Sequence, residues 1–137
     1  VDALTQLPPA RIGAALNVVA QRYARVLGVG AREVHDALER ARIACFVPDD
    51  HEREQLMQGI YDGVKAGNYP LARQRFEAVS IALQERYGVS TLIMGCTEIP
   101  LALAEHPRLE GLSLVNPSVV LASALARHAY WHIHPAG

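Results

Sequence analysis

Cys96, Thr97 and Glu98 stand next to one another, and together they offer a thiol, a hydroxyl and a carboxylate within three residues. They follow the apolar run Thr91-Leu92-Ile93-Met94 and Gly95, and they precede Ile99-Pro100-Leu101, where a proline marks a helix start. A strand running through a glycine into a helix delivers its last side chains to the carboxyl end of a sheet, where open α/β folds gather ligands. Unpaired backbone N–H groups at such a helix start favour negative charge, so they can stabilise a thiolate or hold a carboxylate. The Thr97 hydroxyl adds a donor. The Glu98 carboxylate is placed either to cap the helix or to meet a substrate ammonium group. On position alone, a cysteine at a strand end is equally readable as a small buried hydrophobe, so Cys96 has a structural reading beside the catalytic one.

The elements that must position these residues alternate in type. From Pro9 to Val29 the apolar residues Ile12, Leu16, Val19, Tyr23 and Val26 recur at three and four, which predicts an amphipathic helix. Gly28 and Gly30 break it, and Val34, Leu38 and Ala41 predict a second, shorter helix ending near Arg42. Ile43-Ala44-Cys45-Phe46-Val47 is a short buried-strand pattern closed by Pro48-Asp49-Asp50, with either aspartate available to cap the next helix. Leu56, Ile60 and Val64 continue as a helix up to Gly67-Asn68, and Pro70 opens a longer one that carries Ala72, Phe76, Val79, Leu83 and Tyr87 on one face until Gly88. After Thr91–Met94 come a short helix from about Pro100 to Glu105, a loop around Pro107, a strand at Leu112-Ser113-Leu114-Val115 and a last helix lined by Val120, Ala124 and His128. The alternation predicts an α/β fold, a parallel sheet flanked by helices, in one domain spanning residues 1–137, with 1–41 mostly helical.

Nine residues narrow the chemistry. The run Ile93-Met94-Gly95-Cys96-Thr97-Glu98-Ile99-Pro100-Leu101 resembles the G-C-T-E-I-P-L signature of the aspartate/glutamate racemase family. Ile43 to Asp50 is similar to that family's strand ending in V-P-D, and Ile60-Tyr61 with Lys65-Ala66-Gly67 is similar to its I-Y…K-A-G segment, so the likeness covers about residues 42–128. The resemblance implies a cofactor-independent racemase of two similar α/β domains, in which one cysteine from each domain faces the substrate's α-carbon from opposite sides. On this chain it implies the C-terminal half, with Cys96 as a catalytic acid-base residue and Thr97 and Glu98 as substrate-binding neighbours. The implied substrate is a small acidic amino acid, aspartate or glutamate. An α-proton is far less acidic than a thiol, so the carbanion must be stabilised electrostatically as it forms.

The chain departs from the pattern in two ways. The family's first cysteine belongs to an N-terminal domain absent here, and Cys45, in the middle of its strand, is expected to be buried and to be no substitute. Three explanations stay open: a fragment with a missing N-terminal domain, one chain of an assembly such as a homo-oligomer that completes the site, or a descendant that no longer racemises. The family's V-G-L-L-A-T strand has its nearest counterpart in Val26-Leu27-Gly28-Val29-Gly30, too close to Pro48. Two other readings stay open: a carboxylate-binding or assembly module without turnover, and a one-cysteine carbon-acid enzyme of the wider superfamily.

Composition excludes other classes. Thirteen basic against 14 acidic side chains give a net charge of −1, no footprint for nucleic acid or an anionic membrane. No apolar run approaches the roughly 20 residues needed to span a bilayer, and no secretory signal pattern opens the chain, so a cytoplasmic location is expected. With two cysteines in strand-like runs, reduced thiols are expected. His128, His132 and His134 lack an accompanying carboxylate or cysteine at ligand spacing, so no metal is expected. Trp131 and Tyr130 read as anchors of the last helix or of an oligomer contact. His51 reads as a first-turn surface residue with a lesser chance of reaching the crevice, and Gly28-Val29-Gly30 lacks the third glycine of a dinucleotide fingerprint, so no cofactor is expected.

Overall fold

A computed structural model describes residues 12–15, 31–103 and 109–133. Their elements run β1 (Ile12–Ala15), α1 (Ala31–Arg40), β2 (Cys45–Phe46), α2 (Asp50–Gln58), a π-helical turn (Gly59–Val64), α3 (Tyr69–Tyr87), β3 (Thr91–Met94), α4 (Ile99–Leu103), β4 (Ser113–Val115) and α5 (Pro117–Ile133). The four strands are parallel and ordered β2-β1-β3-β4.

Strand β3 shows why both faces must be covered. All four of its residues are buried, and its three apolar ones alternate between two apolar clusters. Leu92 and Met94 join Phe76, Val79, Leu83, Ile60 and Ile99 on one face. Ile93 joins Leu38, Val34, Ile43 and Val115 on the other. Alternation of period two therefore splits the core between α3 and its neighbours on one side and α1 on the other.

The helix ends follow their local chemistry. Asp49 caps α2 in a reciprocal capping box, its carboxylate accepting from the Glu52 N–H at 2.8 Å while the Asp49 N–H donates to Glu52 at 2.8 Å. Arg86, near the end of α3, donates to both Asp49 at 3.1 Å and Glu52 at 2.5 Å, so the turn after β2 is tied to α3. The Asn68 side chain caps α3, Pro70 lies in its first turn, and Gly88 closes it at φ +62°, a left-handed conformation that glycine adopts without steric cost. The end of α1 uses the same geometry with the less suited Arg42, at φ +57°. There the Ile43 N–H donates to Leu38 and the Arg42 N–H to Glu39, the paired bonds of a Schellman closure.

One expectation fails. The helix predicted over Pro9–Val29 is not what Ile12–Ala15 forms: it is β1, pairing with β2 on one edge and β3 on the other. A strand with neighbours on both edges of a covered sheet needs no polar alternation, and Gly and Ala carry no β signal of their own, so the three-four spacing continuing through Leu16 and Val19 decided the sequence reading. Residues 16–30, including Gly28 and Gly30, lie outside the described residues, as do the loop around Pro107 and His134. No helix among the described residues is long and apolar enough to cross a membrane.

Candidate functional site

The order β2-β1-β3-β4 contains a reversal. From β1 the chain moves outward to β2, then returns across β1 to β3 and continues to β4. Adjacent parallel strands whose following connections run in opposite directions mark the place where open α/β sheets gather ligands, at their carboxyl ends, and here those strands are β1 and β3. Cys96 follows Met94, the last residue of β3, by two positions, which puts it at the carboxyl end of β3, beside this switch point.

There the three sequence-nominated residues form one hydrogen-bonded cluster. The Cys96 thiol donates to Glu98 Oε2 at 2.7 Å, and the Thr97 hydroxyl donates to the same oxygen at 2.9 Å. Thr97 is exposed and Glu98 half-buried. Cys96 keeps 9 % of its surface accessible and packs in the α3-side cluster, on the face of Leu92 and Met94. The thiol thus has an apolar flank on the core and a polar flank on Glu98, so features of both readings of this cysteine are present. The parity of the strand explains this, since every second residue from Leu92 onward faces α3.

Electrostatics follow from this two-sided setting. Burial, then the hydrogen bond to the Glu98 carboxylate, pushes the Cys96 thiol from an ordinary 9.0 up to about 11, while backbone N–H groups of Glu98 and Ile99 act in the opposite direction. The thiol is therefore neutral near pH 7 when no ligand is present. Glu98 is held below the usual carboxylate range, first by the thiol it accepts from, against the opposing effect of burial, and then by Thr97 and the nearby positive charge of Lys65.

Lys65 is a charged neighbour of the site that no sequence spacing points to. In sequence it stands within the family-like segment Lys65-Ala66-Gly67, and it is the sole lysine among 13 basic residues, a signal present in composition alone. It follows the π-helical turn, which packs against α4.

Cys45 does not join the cluster. It is half-buried, not fully buried as expected, and packs beside Leu38 and Ile93. Ile12 pairs with both Cys45 and Thr91, so Cys45 is level with the start of β3 and two strands away. At about 4.8 Å per strand and 3.3 Å per residue, it lies on the order of 20 Å from Cys96. Two bases flanking one carbon would each have to approach it within roughly 3.5 Å. No disulfide joins the two cysteines. His51 is an exposed first-turn residue of α2, 2.9 Å from the Gln55 side chain. His35, Asp36 and Glu39 cluster on α1, away from the crevice in sequence and exposed or half-exposed.

Residues 10–125 match the family described as Asp/Glu/Hydantoin racemase. The chain is also 38 % identical over 80 residues to the "Uncharacterized protein in pnlA 3'region" of Pectobacterium carotovorum subsp. carotovorum, a stretch that is 58 % of this chain and 52 % of that protein. The chain thus spans about half the length of the curated relative it matches.

Proposed function

The chain belongs to the Asp/Glu/hydantoin racemase family, and from that premise we propose that it binds a small acidic amino acid at the β1/β3 crevice, where Cys96 exchanges a proton with the α-carbon. The observation that carries this reading is the shared acceptor: Cys96 and Thr97 both donate to one oxygen of Glu98. An arriving ammonium group can take that carboxylate as its counter-ion. The Thr97 hydroxyl is then released to donate to the substrate carboxylate. The thiol loses the anionic partner that holds its proton and gains a cation nearby, and both changes lower its pKa. Substrate binding would thereby convert a neutral resting thiol into one able to ionise, with the Glu98 and Ile99 N–H groups beside the sulfur. Lys65 supplies positive charge for the side-chain carboxylate that distinguishes acidic from neutral amino acids.

In this reading the chain provides one face of a proton-transfer site. Inversion needs a second acid-base group on the other side of the α-carbon, and the separation of Cys45 from Cys96 removes that thiol from the role. The second group would come from a further domain or another copy.

The test is incubation with each enantiomer of aspartate and glutamate in heavy water, following α-deuteration and optical rotation. Cys96-dependent deuteration is the expected result, with retained configuration if Cys96 works alone and inversion if a second base is supplied. Exchange that survives Cys96→Ala, or binding of acidic amino acids with no exchange, would overturn the assignment. The latter outcome would identify a carboxylate-binding module, a reading favoured by the high resting pKa of the thiol.

A further inference from the structure

The turn before Lys65 is unusual in its hydrogen bonding. The Lys65 N–H donates to the Ile60 carbonyl at 2.9 Å and the Asn68 N–H to Gly63 at 2.8 Å, each five residues back. Such π turns are uncommon and tend to persist where something holds them. Here two glycines do so. A Cβ on Gly59 would come within 2.5 Å of the Phe76 ring, and one on Gly63 within 2.7 Å of Ala72 Cβ and 2.8 Å of its Cα, so the turn lies directly on α3. On its outer side it abuts α4, the helix that follows Cys96-Thr97-Glu98.

On this turn the Lys65 ammonium sits 4.6 Å from the centroid of the Tyr61 ring. Tyr61 is 41 % exposed, so its ring is not spent on the core. A lysine has a flexible four-carbon stem, and an unrestrained ammonium would give up much rotamer freedom on meeting a ligand. A ring face under the cation restricts it beforehand and leaves its other side open.

We propose that Tyr61 is a positioning residue, its ring holding the Lys65 ammonium at the crevice edge so that it meets the side-chain carboxylate of the substrate. This rests on the reading of the site as one for acidic amino acids. Tyr61 touches no reacting atom; it acts through Lys65, and the π-helical turn sets the pair's direction.

A single lysine makes the test direct. The chain labelled with carbon-13 at the lysine ε-position gives one side-chain signal, which can be followed in the wild type, Tyr61→Phe and Tyr61→Leu while L-aspartate is titrated. The signal should show an upfield ring-current displacement in the wild type and in Tyr61→Phe, and lose it in Tyr61→Leu. The Kd for L-aspartate should rise about two- to fivefold in Tyr61→Leu and hold in Tyr61→Phe, the range expected for an exposed cation–π contact. A lysine signal at its free-peptide position in the wild type would overturn the proposal. So would a Tyr61→Phe protein that behaves like Tyr61→Leu, or a Tyr61→Leu protein that binds as the wild type does. A signal that depends on the ring but ignores aspartate and glutamate alike would leave the contact standing and defeat the acidic-substrate reading instead.

Discussion

Replacing Glu98 by glutamine tests the electrostatic core of the site without needing turnover. The Cys96 thiol is pushed from its ordinary 9.0 up to about 11, which leaves close to a hundredfold fewer thiolates at any pH below 9. Burial is the largest cause and the Glu98 carboxylate the next. Glutamine keeps the volume and the burial but removes the anion, so the midpoint should fall below about 11 yet stay above 9.0, with several-fold more thiolate in the range below pH 9. The assay is the pH dependence of iodoacetamide alkylation, in a Cys45→Ala background so that only one sulfur reports. The same shift has a stability signature. A thiol whose folded pKa is raised contributes stability that is complete below pH 9 and is lost as pH rises from 9 through 11. Glu98→Gln should narrow that window from its upper end. A midpoint equal to or above that of the parent protein would refute the claim that the carboxylate keeps the proton on sulfur.

Other expectations rest on the scaffold. Leu83→Ala removes a side chain with no accessible surface at the α3 contact and should cost about 2–5 kcal/mol in urea unfolding, with Cys96 reactivity little changed in the folded protein. Arg42→Gly relieves a left-handed residue at the end of α1; the strain released exceeds the chain entropy added, for a net gain of about 0.5–1 kcal/mol by the same measurement. Gly63→Ala must displace the backbone of Ala72 and should destabilise the fold by about 1–3 kcal/mol, together with a change in the Lys65 side-chain signal. The Asp49 carboxyl is held below its usual 3.8, first by the Glu52 N–H, so its contribution is present above that value and disappears as pH falls through the lowered one. Asp49→Asn, followed by thermal unfolding across the acid range, should flatten that part of the profile.

What could be foreseen from sequence divides along physical lines. The helix boundaries at Asp49, Asn68 and Gly88 rest on single residues whose chemistry is local, and all three appear where cap and stop signals place them. The apolar run Thr91–Met94 declares a covered strand by itself. By contrast, β1 is defined by its partners: nothing within Ile12-Gly13-Ala14-Ala15 distinguishes a central strand from the opening of a helix, and its pairing residues lie far away along the chain. The π-helical turn was equally hidden, since Leu56, Ile60 and Val64 fit an ordinary helix and the cause of the widening is a close approach to Phe76 and Ala72. At the site, neighbours in sequence were legible as Cys96, Thr97 and Glu98, but their sharing of one carboxylate oxygen was not. Lys65 came to the cluster through tertiary packing, which no spacing rule reports.

The placing of β1 bears on how the chain is made. Ile12 leaves the ribosome well before Cys45 and, 79 residues later, Thr91, its two lateral partners. At 5–20 residues per second, roughly 4–16 s pass before both are available. During that interval the segment destined for the middle of the sheet has both edges bare, the condition in which nascent strands pair with the wrong neighbour. Its glycine and alanines, poor at spontaneous strand pairing, make it a reluctant partner until β3 arrives. The low pairing strength of Gly13, Ala14 and Ala15 thus offsets the long wait that their central place in the sheet imposes.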